Sequence, residues 1–165
     1  MPAYRLQTLL EMRERAEEAA KQAFSEAMRV FHKQKEILET MRSDLTRRQE
    51  ERKEKVLAFR QSVLSQAVLA NAFEQIERFE QRLQEEEARV ELEIGAQEGT
   101  VERARQRVEQ RRVEMAEAAK EKKAIEKHKE QWAKQVRYER QAREELMQEE
   151  IGNTLHLQKR RGGRL

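Results

Sequence analysis

The stretch Val56–Phe73, "VLAFRQSVLSQAVLANAF", decides the fold. It follows ten residues, Thr46–Lys55, "TRRQEERKEK", without one apolar side chain, and it precedes a second long run of spaced apolar residues. Ser62, Ser65 and Asn71 are weaker helix formers that also serve as caps, so the chain is expected to turn within residues 62–71. A turn there makes a hairpin of two long helices. A turn at Ile94–Thr100, "IGAQEGT", is the alternative, giving a longer first helix and a shorter second one.

Working back from the turn, Leu6, Leu9, Leu10, Ala16, Ala20, Ala23, Phe24, Ala27, Val30, Phe31, Ile37, Leu38, Met41 and Leu45 recur at three- and four-residue intervals. That spacing is the seam of a coiled coil. Pro2 suits a first helical turn, where its missing N–H is not needed. The first helix is therefore expected over about 3–61 and the turn over about 62–69. Working forward, Leu69, Phe73, Ile76, Leu83, Val90, Ile94, Val101, Ala104, Val108, Met115, Ala118, Ile125, Trp132, Val136 and Leu146 continue the pattern through Gly95 and Gly99. The second helix is expected over about 70–150, with a flexible basic tail over 152–165.

Composition agrees with this single all-α coiled-coil domain, an antiparallel two-helix rod. Of 165 residues 41% are charged and 37% apolar, with one proline and five glycines, so the core must be a thin seam and turns must be few. There is no cysteine, which excludes disulfides and thiolate chemistry. The start "MPAYRLQ" lacks the apolar run of a signal peptide, and no stretch has the length of a membrane span, which points to a cytoplasmic protein.

Chemistry is sparse. His32, His128 and His156 share no metal-ligand spacing, and Gly162-Gly163 follows no strand, so no catalytic, metal or cofactor-binding residue is assigned. Residues 61–100 hold three basic and nine acidic residues, whereas residues 101–165 hold eighteen and twelve. The basic ending "LQKRRGGRL" could meet phosphates, but it lacks interleaved aromatics and the net charge is only +3, which disfavours nucleic acid as a partner. The glutamates among the basic residues likewise disfavour direct membrane binding.

If the chain turns near residue 67, paired positions sum to about 134, and the first helix is used up near residue 131 of the second. Trp132, Val136, Tyr138, Leu146, Met147 and Ile151 then continue the apolar pattern with no partner in the chain. Exposed apolar surface of that kind marks a contact site. A general coiled-coil scaffold, self-associating through its heptads, is the competing reading.

The opening "YRLQTLLEMRERAEEAAKQAF", Tyr4–Phe24, with its aromatic residue, "LQ", "LL" and "RE" ahead of alanine-rich turns, resembles the start of the FliJ and SctO (YscO) stalk proteins of type III export apparatuses. The likeness of architecture covers nearly the whole chain. "NAFEQIERFEQRL", Asn71–Leu83, resembles the family's segment after the turn, and implies docking to the export gate by Phe73, Ile76, Phe79 and Leu83. Of these, Phe73, Ile76 and Leu83 also fit the seam, while Phe79 lies off it. "LMQEEIGNTLHLQKRR" is similar to the family's ending, with Glu149, Glu150 and Ile151 matching its acidic pair and apolar residue, although Gly152-Asn153 departs from it.

The resemblance implies a non-catalytic central stalk of the flagellar apparatus, or of an injectisome. Such a stalk binds and stimulates a hexameric export ATPase and links it to the cytoplasmic domain of the export gate. Residues expected to meet the ATPase are Trp132, Val136, Tyr138, Leu146, Glu149, Glu150 and Ile151. Export chaperones are further expected partners, membrane association is expected only through partners, and the isolated protein is expected to be a monomer. No cofactor is expected.

Overall fold

The computed structural model describes residues 3–65 and 71–162. They form two helices, α1 (Gln7–Ser65) and α2 (Ala72–Gly162), and no strand occurs among them. The fold is the expected all-α two-helix hairpin, and its contacts divide into two compact units. One comprises Met1–Ala20 with Met115–Leu165, and the other Lys21–Glu114. The sequence suggested one domain, but a helix pair touches only residue against residue at matched levels, so its contacts do not converge on one core.

In the Lys21–Glu114 unit α1 and α2 run antiparallel. Gln34 meets Gln97, Arg42 meets Glu98, Arg52 meets Glu87 and Phe59 stacks on Phe79. The last contact requires the chain to reverse between Ser65 and Ala72, inside the predicted interval, of which residues 66–70 lie outside the described ones. The alternative turn at Ile94–Thr100 is thereby excluded. Gly95 and Gly99 lie inside α2, and a Cβ at Gly95 would meet nothing within 4 Å.

The seam is thin, as the composition requires. Leu10, Ala27, Leu38 and Val56 of α1 are buried, as are Ala72, Ile76, Ile94 and Ala104 of α2. Ala16, Val30 and Ile37, which the apolar spacing placed in the seam, are exposed because Leu38 and its three- and four-residue partners already fill that face.

Polar residues complete the pattern where apolar ones are missing. On α1, Met41, Leu45, Gln49 and Arg52 are partly covered; on α2, Phe79, Leu83 and Val90 are partly covered and Glu87 is buried. Each run takes two steps of four and then one of three. An extra four-residue step unwinds a coiled coil locally, and one occurs in each helix, over 41–49 in α1 and 79–87 in α2, on either side of the Arg52–Glu87 contact.

Arg52 Nε donates to Glu87 Oε1 at 2.8 Å, and its Nη1 lies 3.6 Å from Glu80 Oε1. The first of these contacts supplies the buried Glu87 carboxylate with the partner it requires. Gln97 Nε2 donates to the carbonyl oxygen of Gln34 at 3.0 Å and to its Oε1 at 2.8 Å.

The unit holding the start of α1 and the C-terminal half of α2 is also an antiparallel pair. Arg13 is ion-paired with Glu121, Lys122 Nζ lies 2.8 Å from Glu17 Oε2, and Lys129 Nζ donates to Gln7 Oε1 at 2.9 Å. The Glu17 hydrogen bond is the main reason the Lys122 ammonium titrates above its ordinary range.

Helix boundaries differ from the expectation at several points. α1 starts at Gln7 rather than residue 3, because Tyr4 turns inward and its carbonyl accepts from Gln7 N–H at 3.1 Å. Pro2 lies outside the described residues. α1 runs to Ser65, whose hydroxyl donates to the carbonyl oxygen of Ser62 at 2.8 Å. α2 passes through Gly152-Asn153 and continues to Gly162, so residues 152–162 are helix rather than tail. Its last turn carries Lys159, Arg160 and Arg161, cations placed favourably at the negative end of the helix dipole.

Candidate partner-binding surfaces

The end of the hairpin is closed by an aromatic clasp that the apolar spacing alone did not reveal. Tyr4 is buried, its hydroxyl lies 2.7 Å from His128 Nδ1, and its ring centroid is 5.2 Å from that of Trp132. Trp132 was expected beyond the covered seam; instead Tyr4 covers it and it is partly buried, as is Val136 one turn later. The signal was present in the sequence: Tyr4 stands two residues before Leu6, and a residue preceding a helix can fold back over its partner.

Beyond Val136 the coverage stops. Tyr138 is 75% exposed and Ile151 56%, and Leu146, Met147, Leu155 and Leu157 are exposed to a similar degree. Every residue from 143 to 162 is exposed, Glu149 and Glu150 among them. Leu155 and Leu157 belong to this surface although the expected tail left them out.

A second surface lies at the start of α2. Ile76 is buried at 5% exposure, and Leu83 is partly buried, so both belong to the seam. The expectation for the two phenylalanines is reversed. Phe79 stacks on Phe59 with centroids 4.6 Å apart and planes 29° apart, and the Arg82 guanidinium lies 5.8 Å from the Phe79 ring. Phe73 is 70% exposed, because Ala72 takes the buried place one residue earlier. On α1, Leu57 and Leu64, two turns apart on one face, are also exposed.

No group of three or more metal-ligating side chains is gathered among the described residues, and no helix there is long and apolar enough to cross a membrane.

A family model described as YscO-like protein matches residues 1–162. The chain belongs to the YscO-like family. This YscO-like chain is also similar to the solved structure of a proposed YscO homolog, CT670, from Chlamydia trachomatis. The TM-score is 0.84 and the sequence identity 22%, over 98% of this chain and 99% of that one. The likeness extends the two-helix fold to a second protein. The comparison with curated proteins finds no match. Membership of the family makes this a stalk-like protein of type III secretion, a structural component.

Proposed function

We propose that the chain is the non-catalytic central stalk of a type III export apparatus, flagellar or injectisome, and that it joins a hexameric export ATPase to the membrane export gate. One observation carries the reading: α2 runs on past Trp132, where Tyr4 closes the hairpin, and exposes Leu146, Met147, Ile151, Leu155 and Leu157 along a helix with nothing against it among the described residues. Exposed apolar residues in such number mark a protein-binding face. That face, with Tyr138, Glu149 and Glu150, enters the ATPase and promotes its turnover. Trp132 and Val136 support it from inside the hairpin.

Phe73 is the residue offered to the cytoplasmic domain of the export gate, with Ile76, Phe79 and Leu83 holding α2 in place behind it. Export chaperones dock on the same stalk, which sits at the inner membrane through its partners.

The test is a binding titration of the chain against the export ATPase and the gate domain of the same organism. Ile151→Asp is expected to abolish ATPase binding and leave gate binding intact, and Phe73→Ala to do the reverse. Loss of neither interaction would overturn the assignment.

A further inference from the structure

Tyr4 is held in place chiefly by its side chain. It stands ahead of α1, Ala3 and Arg5 on either side of it are exposed, and its carbonyl accepts from Gln7 N–H. It is nevertheless buried, with its ring against Trp132 and 5.8 Å from the His128 ring.

Among the described residues the hydroxyl has a single hydrogen-bond partner, His128 Nδ1 at 2.7 Å. A buried phenol proton needs an acceptor, so the hydroxyl donates, Nδ1 accepts, and the neutral imidazole carries its own proton on Nε2. His128 itself is exposed, so a second proton can reach it from solvent.

That proton takes the acceptor away. Both nitrogens of an imidazolium are donors, and the hydroxyl keeps the contact only by turning its own proton aside, with no second acceptor bonded to it among the described residues. An unpaired buried donor is costly, whereas an exposed imidazolium is served by water without Tyr4.

The surrounding charges do not hold the imidazolium in place. On α2 the residues one turn away, Ala124, Ile125, Gln131 and Trp132, are uncharged, and the adjoining Lys127 and Lys129 are cations, Lys129 Nζ donating to Gln7 Oε1. Glu126 lies 3.6 Å from Lys122 Nζ, and Glu121 is paired with Arg13. Glu130, two residues on, points about 200° round the helix. The N-terminal side brings Arg5, a further cation, and Glu11, whose carboxylate accepts from Gln7 Nε2 at 3.2 Å.

Beneath Tyr4 lies Trp132, with Val136 one turn on, both partly buried. Leu146 and Met147, which are exposed, fall within about 60° of Trp132 around the helix. Lifting Tyr4 away therefore adds Trp132 to an exposed apolar stripe.

We propose that protonation of His128 releases Tyr4 from Trp132, so that residues 3–6 form an acid-opened latch over this part of α2. The latch is closed while the imidazole is neutral and opens as pH falls through the range in which imidazoles gain a proton, about pH 6.5. It rests on nothing in the function proposed above and is tested without any partner.

Trp132 is the chain's one tryptophan, so its fluorescence reads the latch in the full chain. Acidification from about pH 8 to about pH 5 is expected to move its emission to longer wavelength and to raise its quenching by acrylamide to the level of Tyr4→Ala, with helicity by circular dichroism unchanged. Both readouts report exposure, whereas a loss of intensity alone also follows from an imidazolium beside the indole.

His128→Gln keeps an acceptor that gains no proton, and Tyr4→Phe keeps the ring without the hydroxyl. Both are expected to be insensitive to pH over that range. A wild type whose Trp132 is equally accessible at the two pH values, or a response retained in full by either variant, would overturn the proposal. So would a loss of helicity that accompanies the response, since that is melting of the hairpin rather than release of Tyr4.

Discussion

Glu87 shows what a single polar residue does in a seam this thin. It is buried, and it is held by Arg52 across the helix pair. Glu87→Ala leaves the Arg52 guanidinium without its closest partner and is expected to lower stability by roughly 1–3 kcal/mol. Glu87→Leu fills the same place with apolar volume and is expected to melt at or above the wild-type temperature. Thermal unfolding of both variants distinguishes a specificity device, retained for register, from a net stabilising contact; equal losses would point to the latter.

The two phenylalanines divide in the same way. Phe79→Ala removes the stacked partner of Phe59 and is expected to lower the melting temperature clearly, whereas Phe73→Ala, with its ring in solvent, is expected to change it little. A larger loss from Phe73 than from Phe79 would show that the seam runs along the other line.

At the level of the helices, Gly95 and Gly99 carry the sharpest test of continuity. Both sit inside α2 with room for a side chain, the nearest neighbour of a Cβ at Gly99 being Arg103 Nη1 at 3.6 Å. Gly95→Ala is therefore expected to stabilise the fold by about 0.5–1 kcal/mol, measured by denaturant unfolding. A destabilisation would mean that the helix bends or breaks there.

The element scale also shows why the sequence was readable in part. The heptads from Leu6 to Leu45 and from Ile76 to Val136 identify a helix pair and its turn, since period and turn residues are local properties. The seam between Gln49 and Glu87 was not legible, because a buried ion pair looks like surface until its partner is placed. The last turns of α2 were hidden for a similar reason: Gly152-Asn153 signals an ending by propensity, and propensity is a weak prior against packing. Of the candidate sites, the exposed face from Tyr138 to Ile151 followed from the register, whereas the clasp of Tyr4 on Trp132 required a residue outside the helix to be located.

For the molecule as a whole, cross-helix charge pairs tie stability to pH. Lys122 is raised above the ordinary lysine value, chiefly by its hydrogen bond to Glu17. A cation raised on folding stabilises the fold fully at pH below its unfolded value, and that contribution is lost as pH rises through its higher folded value. The gap in melting temperature between the wild type and Lys122→Met is thus expected to be full at pH about 9 and to shrink progressively as pH rises beyond about 10.5. A gap independent of pH would show that Lys122 acts through its aliphatic stem alone.

The proposed partner of the whole chain is tested by steady-state ATP hydrolysis by the hexameric export ATPase of the same organism, titrated with this chain, with Ile151→Asp and Phe73→Ala run alongside. Stimulation is expected from the wild type and from Phe73→Ala, and none from Ile151→Asp. Hydrolysis that ignores the wild-type chain, or that Ile151→Asp stimulates equally, would contradict the proposal.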